Sequence, residues 1–155
     1  MRLHRNLVFT VIDSLQLIFN EGVYADKAVE SALKKDARWG ARDRKFVAET
    51  IYEIVRWRRL YNEIAETKEH YSRENLWKIF AVWAVLRGIE LPDWKYFQDS
   101  PVRRIKGKFD QVQNIRKIKE SIPDWLDELG ALELGKTWDK ELTALNKQAP
   151  VVLRT

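Results

Sequence analysis

Residues 73–86, RENLWKIFAVWAVL, constrain the fold more than any other stretch, because beyond the first turn the apolar residues surround the helix axis instead of lining one side of it. A helix without a polar face needs apolar neighbours all round. The longest apolar run, IFAVWAVL at residues 79–86, is far shorter than the roughly 18 residues a membrane span requires. The stretch therefore predicts a central helix with other helices packed against it. Ser72 is suited to cap it, Glu74 and Asn75 favour its first turn, and Gly88 supplies the stop.

The rest of the chain offers those other helices. Only 6 glycines and 4 prolines occur in 155 residues, and apolar residues recur at helical spacing, so the chain reads as all-α. A first helix over residues 3–20 places Leu7, Val8, Val11, Ile12, Leu15, Ile18 and Phe19 on one side, and Gly22 ends it. Asp26 is the expected cap of a short helix carrying Ala28, Val29, Ala32 and Leu33. In ARDRKFVAETIYEIVRWRR, residues 41–59, Val47, Ile51, Ile54 and Val55 share one arc, while Lys45, Glu49, Tyr52, Arg56 and Arg59 lie opposite with Arg42 nearby. Arg58 projects from the apolar arc, where it can snorkel or pair with a buried acid, and the helix is expected to continue through Leu60 and Tyr61 to Ile64.

After the central helix, Pro92 and Pro101 bracket a short helix or turn at WKYF, residues 94–97. Gly107 divides residues 102–120, which predict a loop followed by a polar, basic surface helix. Ser121 is the expected cap of a further helix with Pro123 in its first turn and Trp125, Leu126 and Leu129 facing inward. Trp138, Leu142 and Leu145 mark a last amphipathic helix, and VVLRT, residues 151–155, is strand-like.

Most catalytic chemistries lack their residues here. Cysteine is absent, which removes disulfides, thiolate ligands and cysteine nucleophiles together and fits a reducing cytoplasm. The two histidines, His4 and His70, lie on unrelated segments, and the six glycines are isolated, so neither a zinc site nor a phosphate-cradling loop is indicated. Arg2 and Arg5 precede an apolar stretch, but Asn6, Asp13 and Gln16 interrupt it and no small-residue cleavage site follows, so a cytoplasmic protein is expected.

Charge points to binding instead. The net charge of +5 is uneven: residues 41–60 carry +3 and residues 101–120 carry +5, while 61–100 and 121–155 each carry −2. Lysine and arginine at this density suit a polyanion, because neutralised phosphates release counterions. Arg103, Arg104, Lys106, Lys108, Arg116, Lys117 and Lys119 form the denser cluster. Phe109, Trp57 and Tyr52 are either stacking platforms for bases or parts of the core. Arg42, Asp43 and Arg44 fit RNA contact and an intramolecular salt-bridge cluster equally well. No helix-turn-helix pattern supports a DNA-binding reading.

Two stretches resemble a known family. ARDRKFVAETIYEIVRWRR is similar to the third helix of NusB-like RNA-binding domains at the N-terminus of the Sun (Fmu, RsmB-type) RNA cytosine-C5 methyltransferases, with its RDR start and RW end. SIPDWLDELGALELG, with ELTALNKQAPVVLRT after it, resembles that family's next region, through Pro123, Trp125, Leu126, Asn146, Ala149, Pro150, Leu153 and Arg154. The resemblance implies a NusB-like helical bundle over residues 1–120. Residues 121–155 would then begin an α/β linker domain that precedes the methyltransferase domain. It further implies a ribosomal or transfer RNA substrate, ribosomal being the stronger expectation, with S-adenosylmethionine as the methyl donor of the full-length enzyme. The family's catalytic cysteines and cofactor loop have no counterpart in this chain, which is expected to engage RNA, to adjoin its own catalytic domain and to be inactive alone. The expected RNA contacts are Arg42, Arg44, Lys45, Arg56, Arg59, Arg103, Arg104, Lys106, Lys108, Arg116, Lys117 and Lys119. A protein-interaction module without direct RNA contact is the alternative.

Overall fold

A computed structural model describes residues 1–147, and among these every regular element is helical. They are α1 (Arg5–Glu21), α2 (Ala25–Leu33), α3 (Ala41–Arg56), α4 (Arg58–Ala65), α5 (Arg73–Leu86), α6 (Val102–Val112), α7 (Arg116–Lys119), α8 (Asp124–Leu134) and α9 (Trp138–Leu145), with 3-10 turns at Lys95–Phe97 and Gly135–Thr137. The strand expected at residues 151–155 lies outside the described residues.

Helix α5 is the axis its composition demands. Leu76, Ile79, Phe80, Ala81, Val82, Trp83 and Ala84 are all buried, and α1, α3, α4, α6 and the Lys95–Phe97 turn pack around them. The Ser72 hydroxyl accepts the Asn75 amide hydrogen at 3.1 Å, as expected of an N-cap. At the other end Gly88 takes φ 75° while the Ile89 amide returns to the Ala84 carbonyl at 2.9 Å, closing the helix in a left-handed turn. From α3, Val47, Ile51 and Ile54 are fully buried against this axis, and Val55 is half-buried. Aromatic rings lock the turn at residues 95–97: Tyr96 stacks on Trp77 at 4.3 Å, and Phe9 meets both edge-on.

Several boundaries differ from expectation for local physical reasons. Helix α2 begins at Ala25, ahead of its expected cap; Asp26 sits in the first turn and accepts the Lys27 amide at 2.9 Å. Helix α3 ends at Arg56 instead of running to Ile64. A side chain inserted into a helical ladder breaks it, and here the Ser121 hydroxyl donates to the Arg56 carbonyl at 3.3 Å and accepts the Leu60 amide at 3.4 Å, so α4 starts as a separate helix. Arg58 lies over the Phe19 ring, 5.2 Å from its centroid, and reaches the exposed Glu69 at 3.5 Å.

Residues 102–112 form a helix, not a loop. Ile105 and Val112 are buried and Phe109 is half-buried, and this anchorage outweighs the roughly 1 kcal/mol that Gly107 costs in a helix interior. Ser121, occupied at the α3–α4 break, does not cap α8; Pro123 stands at that position and Asp124 begins the helix. Trp125 and Leu129 face outward, as does Leu145 on α9. Leu126 and Ala131 instead pack on a second, smaller apolar cluster of Ile122, Trp138 and Leu142, separate from the main core. Gly130 makes that packing possible, because a Cβ there would lie 2.3 Å from the Trp138 indole.

Candidate nucleic-acid interface

The expected phosphate contacts divide into two groups according to whether a carboxylate or an open carbonyl lies within reach. Arg56 and Arg59 flank the α3–α4 break and meet the chain as it leaves α7. Arg56 donates to the carbonyls of Ser121 at 2.7 Å and Glu120 at 3.1 Å, and to the Asn146 side-chain oxygen. Arg59 donates to the Ile122 carbonyl and to the Asp124 carboxylate, each at 2.6 Å. Three successive carbonyls past the end of α7 thus find their donors in two arginines, which satisfies groups that burial would otherwise leave unpaired. The Arg56 guanidinium also lies 4.6 Å from the Trp57 ring centroid. Partial burial lowers its pKa from the ordinary guanidinium value, with the Glu120 carboxylate opposing.

The cations of α7 are held in the same way. Arg116 forms a two-point contact with Asp127 at 2.6 and 3.3 Å and reaches Asp139 at 3.3 Å, and Lys117 joins Arg59 at Asp124, 3.2 Å away. Asp127 additionally accepts the Trp138 indole hydrogen at 2.9 Å, tying the smaller apolar cluster to the ion pair. On α6, Arg104 and Lys108 clasp Glu66 from two sides at 2.6 and 2.7 Å. Arg44 donates to the Leu33 carbonyl at the end of α2 at 2.8 Å, and Lys45 lies 3.9 Å from Glu49.

Arg42, Arg103, Lys106 and Lys119 form the second group. Each is exposed and forms no ion pair among the described residues. Arg103 and Lys106 are three residues apart on α6 and therefore neighbours on its outer surface. Arg42 stands apart from them on the rim of a groove of about 550 Å³, whose floor includes Leu3, Leu7, Phe46 and Trp83. No sequence pattern signals this groove, since its walls come from the N-terminal segment, α3 and the end of α5. Of the candidate stacking residues, Tyr52 is 46% exposed. Trp57 is half-buried beneath Arg56, and Phe109 is half-buried against the main core.

Among the described residues no group of three histidine, cysteine, aspartate or glutamate side chains is arranged to hold a metal ion, and no helix is long and apolar enough to cross a membrane. Compared with family models, curated proteins and solved structures, the chain matches none.

Proposed function

We propose that the chain is a NusB-like RNA-binding module belonging to an S-adenosylmethionine-dependent RNA cytosine-C5 methyltransferase, acting in the cytoplasm on ribosomal RNA. The observation that carries the reading is the basic segment at residues 101–120 after its internal pairs are set aside. Arg103, Lys106 and Lys119 remain exposed, and the ion pairs of this segment are made by Arg104, Lys108, Arg116 and Lys117 instead. Cations that stabilise their own fold through carboxylates contribute little to a polyanion; unpaired ones release counterions when they meet phosphate.

The internal pairs take a different role in this reading. Arg56, Arg59, Arg116 and Lys117 tie α8 and α9 to the bundle, and in the proposed enzyme these contacts serve to orient the linker domain relative to the RNA. Such orientation is what positioning RNA for a neighbouring catalytic domain requires. The motifs at residues 41–59 and 121–154 support the assignment to the methyltransferase family. The methyl donor and the nucleophile belong to the catalytic domain of that enzyme.

Fluorescence anisotropy with a labelled ribosomal RNA fragment and a DNA duplex of matched length, each at two salt concentrations, tests the proposal. RNA binding that exceeds DNA binding and weakens steeply with salt is expected. Equal affinity for both, or no RNA binding at low salt, would overturn it.

A further inference from the structure

The main bundle hides most of its large apolar side chains, but α8 exposes a row of them. Trp125 is 64% exposed, Leu129 44% and Leu132 84%. At about 100° per residue these three positions, four and then three apart, fall in one narrow arc of the helix. The opposite arc holds Leu126, Gly130 and Ala131, which face Trp138. A lone exposed leucine is ordinary on a protein surface, whereas a contiguous row bordered by charge marks an interaction site.

The borders of the row specify the partner. Glu128 lies on one side and Glu133 on the other, both exposed and neither paired with a cation among the described residues. The acids turned toward the bundle differ: Asp124 is held by Arg59 and Lys117, and Asp127 by Arg116. Unneutralised negative charge therefore concentrates where the apolar row is open. Pairing with a second copy of α8 would set these acidic borders against each other. An anionic bilayer would repel them as well. A helix with apolar residues at matching spacing and lysine or arginine beside them satisfies both features together.

We infer that the outer face of α8, with Trp125, Leu129 and Leu132 between Glu128 and Glu133, docks a basic amphipathic helix of a partner protein. This surface is separate from the α6 cations and does not depend on RNA binding.

The test titrates the full chain into a fluorescein-labelled amphipathic peptide with leucine on one face and lysine on the other, and into a counterpart with glutamate in place of lysine. Saturable binding of the lysine peptide is expected, weakened by about tenfold or more in the Leu129→Ser/Leu132→Ser variant. In the Glu128→Lys/Glu133→Lys variant the preference should invert toward the glutamate peptide. All four positions are exposed, so far-UV circular dichroism should be unchanged in both variants. Failure of the wild type to bind the lysine peptide, or equal binding by wild type and both variants, would overturn the inference. So would concentration-dependent dimerisation in sedimentation that Leu129→Ser/Leu132→Ser abolishes, because a second copy would then cover the face.

Discussion

Arg56 and Ser121 hold each other reciprocally: the arginine guanidinium donates to the serine carbonyl at 2.7 Å, and the serine hydroxyl donates to the arginine carbonyl at 3.3 Å. The pair sits where α3 breaks and where the chain passes from α7 toward α8. It fixes both events at once, since the hydroxyl that interrupts one helix belongs to the segment that leads into the next.

Removing the arginine should therefore cost stability more than a surface charge would. Arg56→Ala leaves the Ser121 carbonyl without its donor and the Glu120 carbonyl with the Asn146 amide alone, and is expected to destabilise the protein by about 2 kcal/mol. Arg56→Lys should recover less than half of that, because an ammonium cannot reproduce the planar fork. Urea denaturation of the three proteins measures both effects, and a neutral Arg56→Ala would contradict the role assigned here.

The small apolar cluster offers a second check. Gly130→Ala drives a methyl group into the Trp138 indole, and a loss of about 1–3 kcal/mol is expected from the overpacking. Near-UV circular dichroism should report the displaced indole. An unchanged spectrum with full stability would mean that α8 and α9 are not packed in this way.

Acid should weaken the protein through a named set of carboxylates. Hydrogen bonds from Arg59 and Lys117 hold Asp124 below its ordinary carboxyl pKa. Arg116 does the same for Asp127, and Lys108 with Arg104 for Glu66. A carboxyl with a lowered folded-state pKa binds fewer protons folded than unfolded. Its stabilisation is thus complete above the ordinary carboxylate range and disappears as pH falls through the folded value. Urea midpoints should hold steady from about pH 7 to about pH 5 and drop below about pH 4. Asp127→Asn should reduce that drop, and a midpoint that is flat down to pH 3 would contradict the assignment.

The core was largely legible in the sequence, and the charge pairing was not. The all-round apolar pattern of residues 76–85 identifies α5 as the axis, and the arc of Val47, Ile51 and Ile54 is the buried face of α3. Both follow from helical periodicity, a local property. Arg104 with Glu66 and Arg56 with Asn146 are joined across 38 and 90 residues, distances over which spacing carries no information. Trp125 and Leu129 misled for a different reason. Helix α8 has apolar residues on two faces, and the face with the smaller side chains, Gly130 and Ala131, is the one that accommodates Trp138. The Gly107 helix shows the converse, where buried Ile105 and Val112 override a residue that reads as a divider.

The salt dependence of RNA binding in the Arg103→Ala/Lys106→Ala/Lys119→Ala variant tests the central claim most directly. Each lost phosphate contact should flatten the plot of log affinity against log salt by about 0.7–0.9, so the triple variant should bind a ribosomal RNA fragment more weakly and with a slope shallower by about 2. Its urea midpoint should match that of the wild type, because none of the three side chains has an acidic partner among the described residues. An unchanged affinity and slope would contradict the claim that these cations hold RNA.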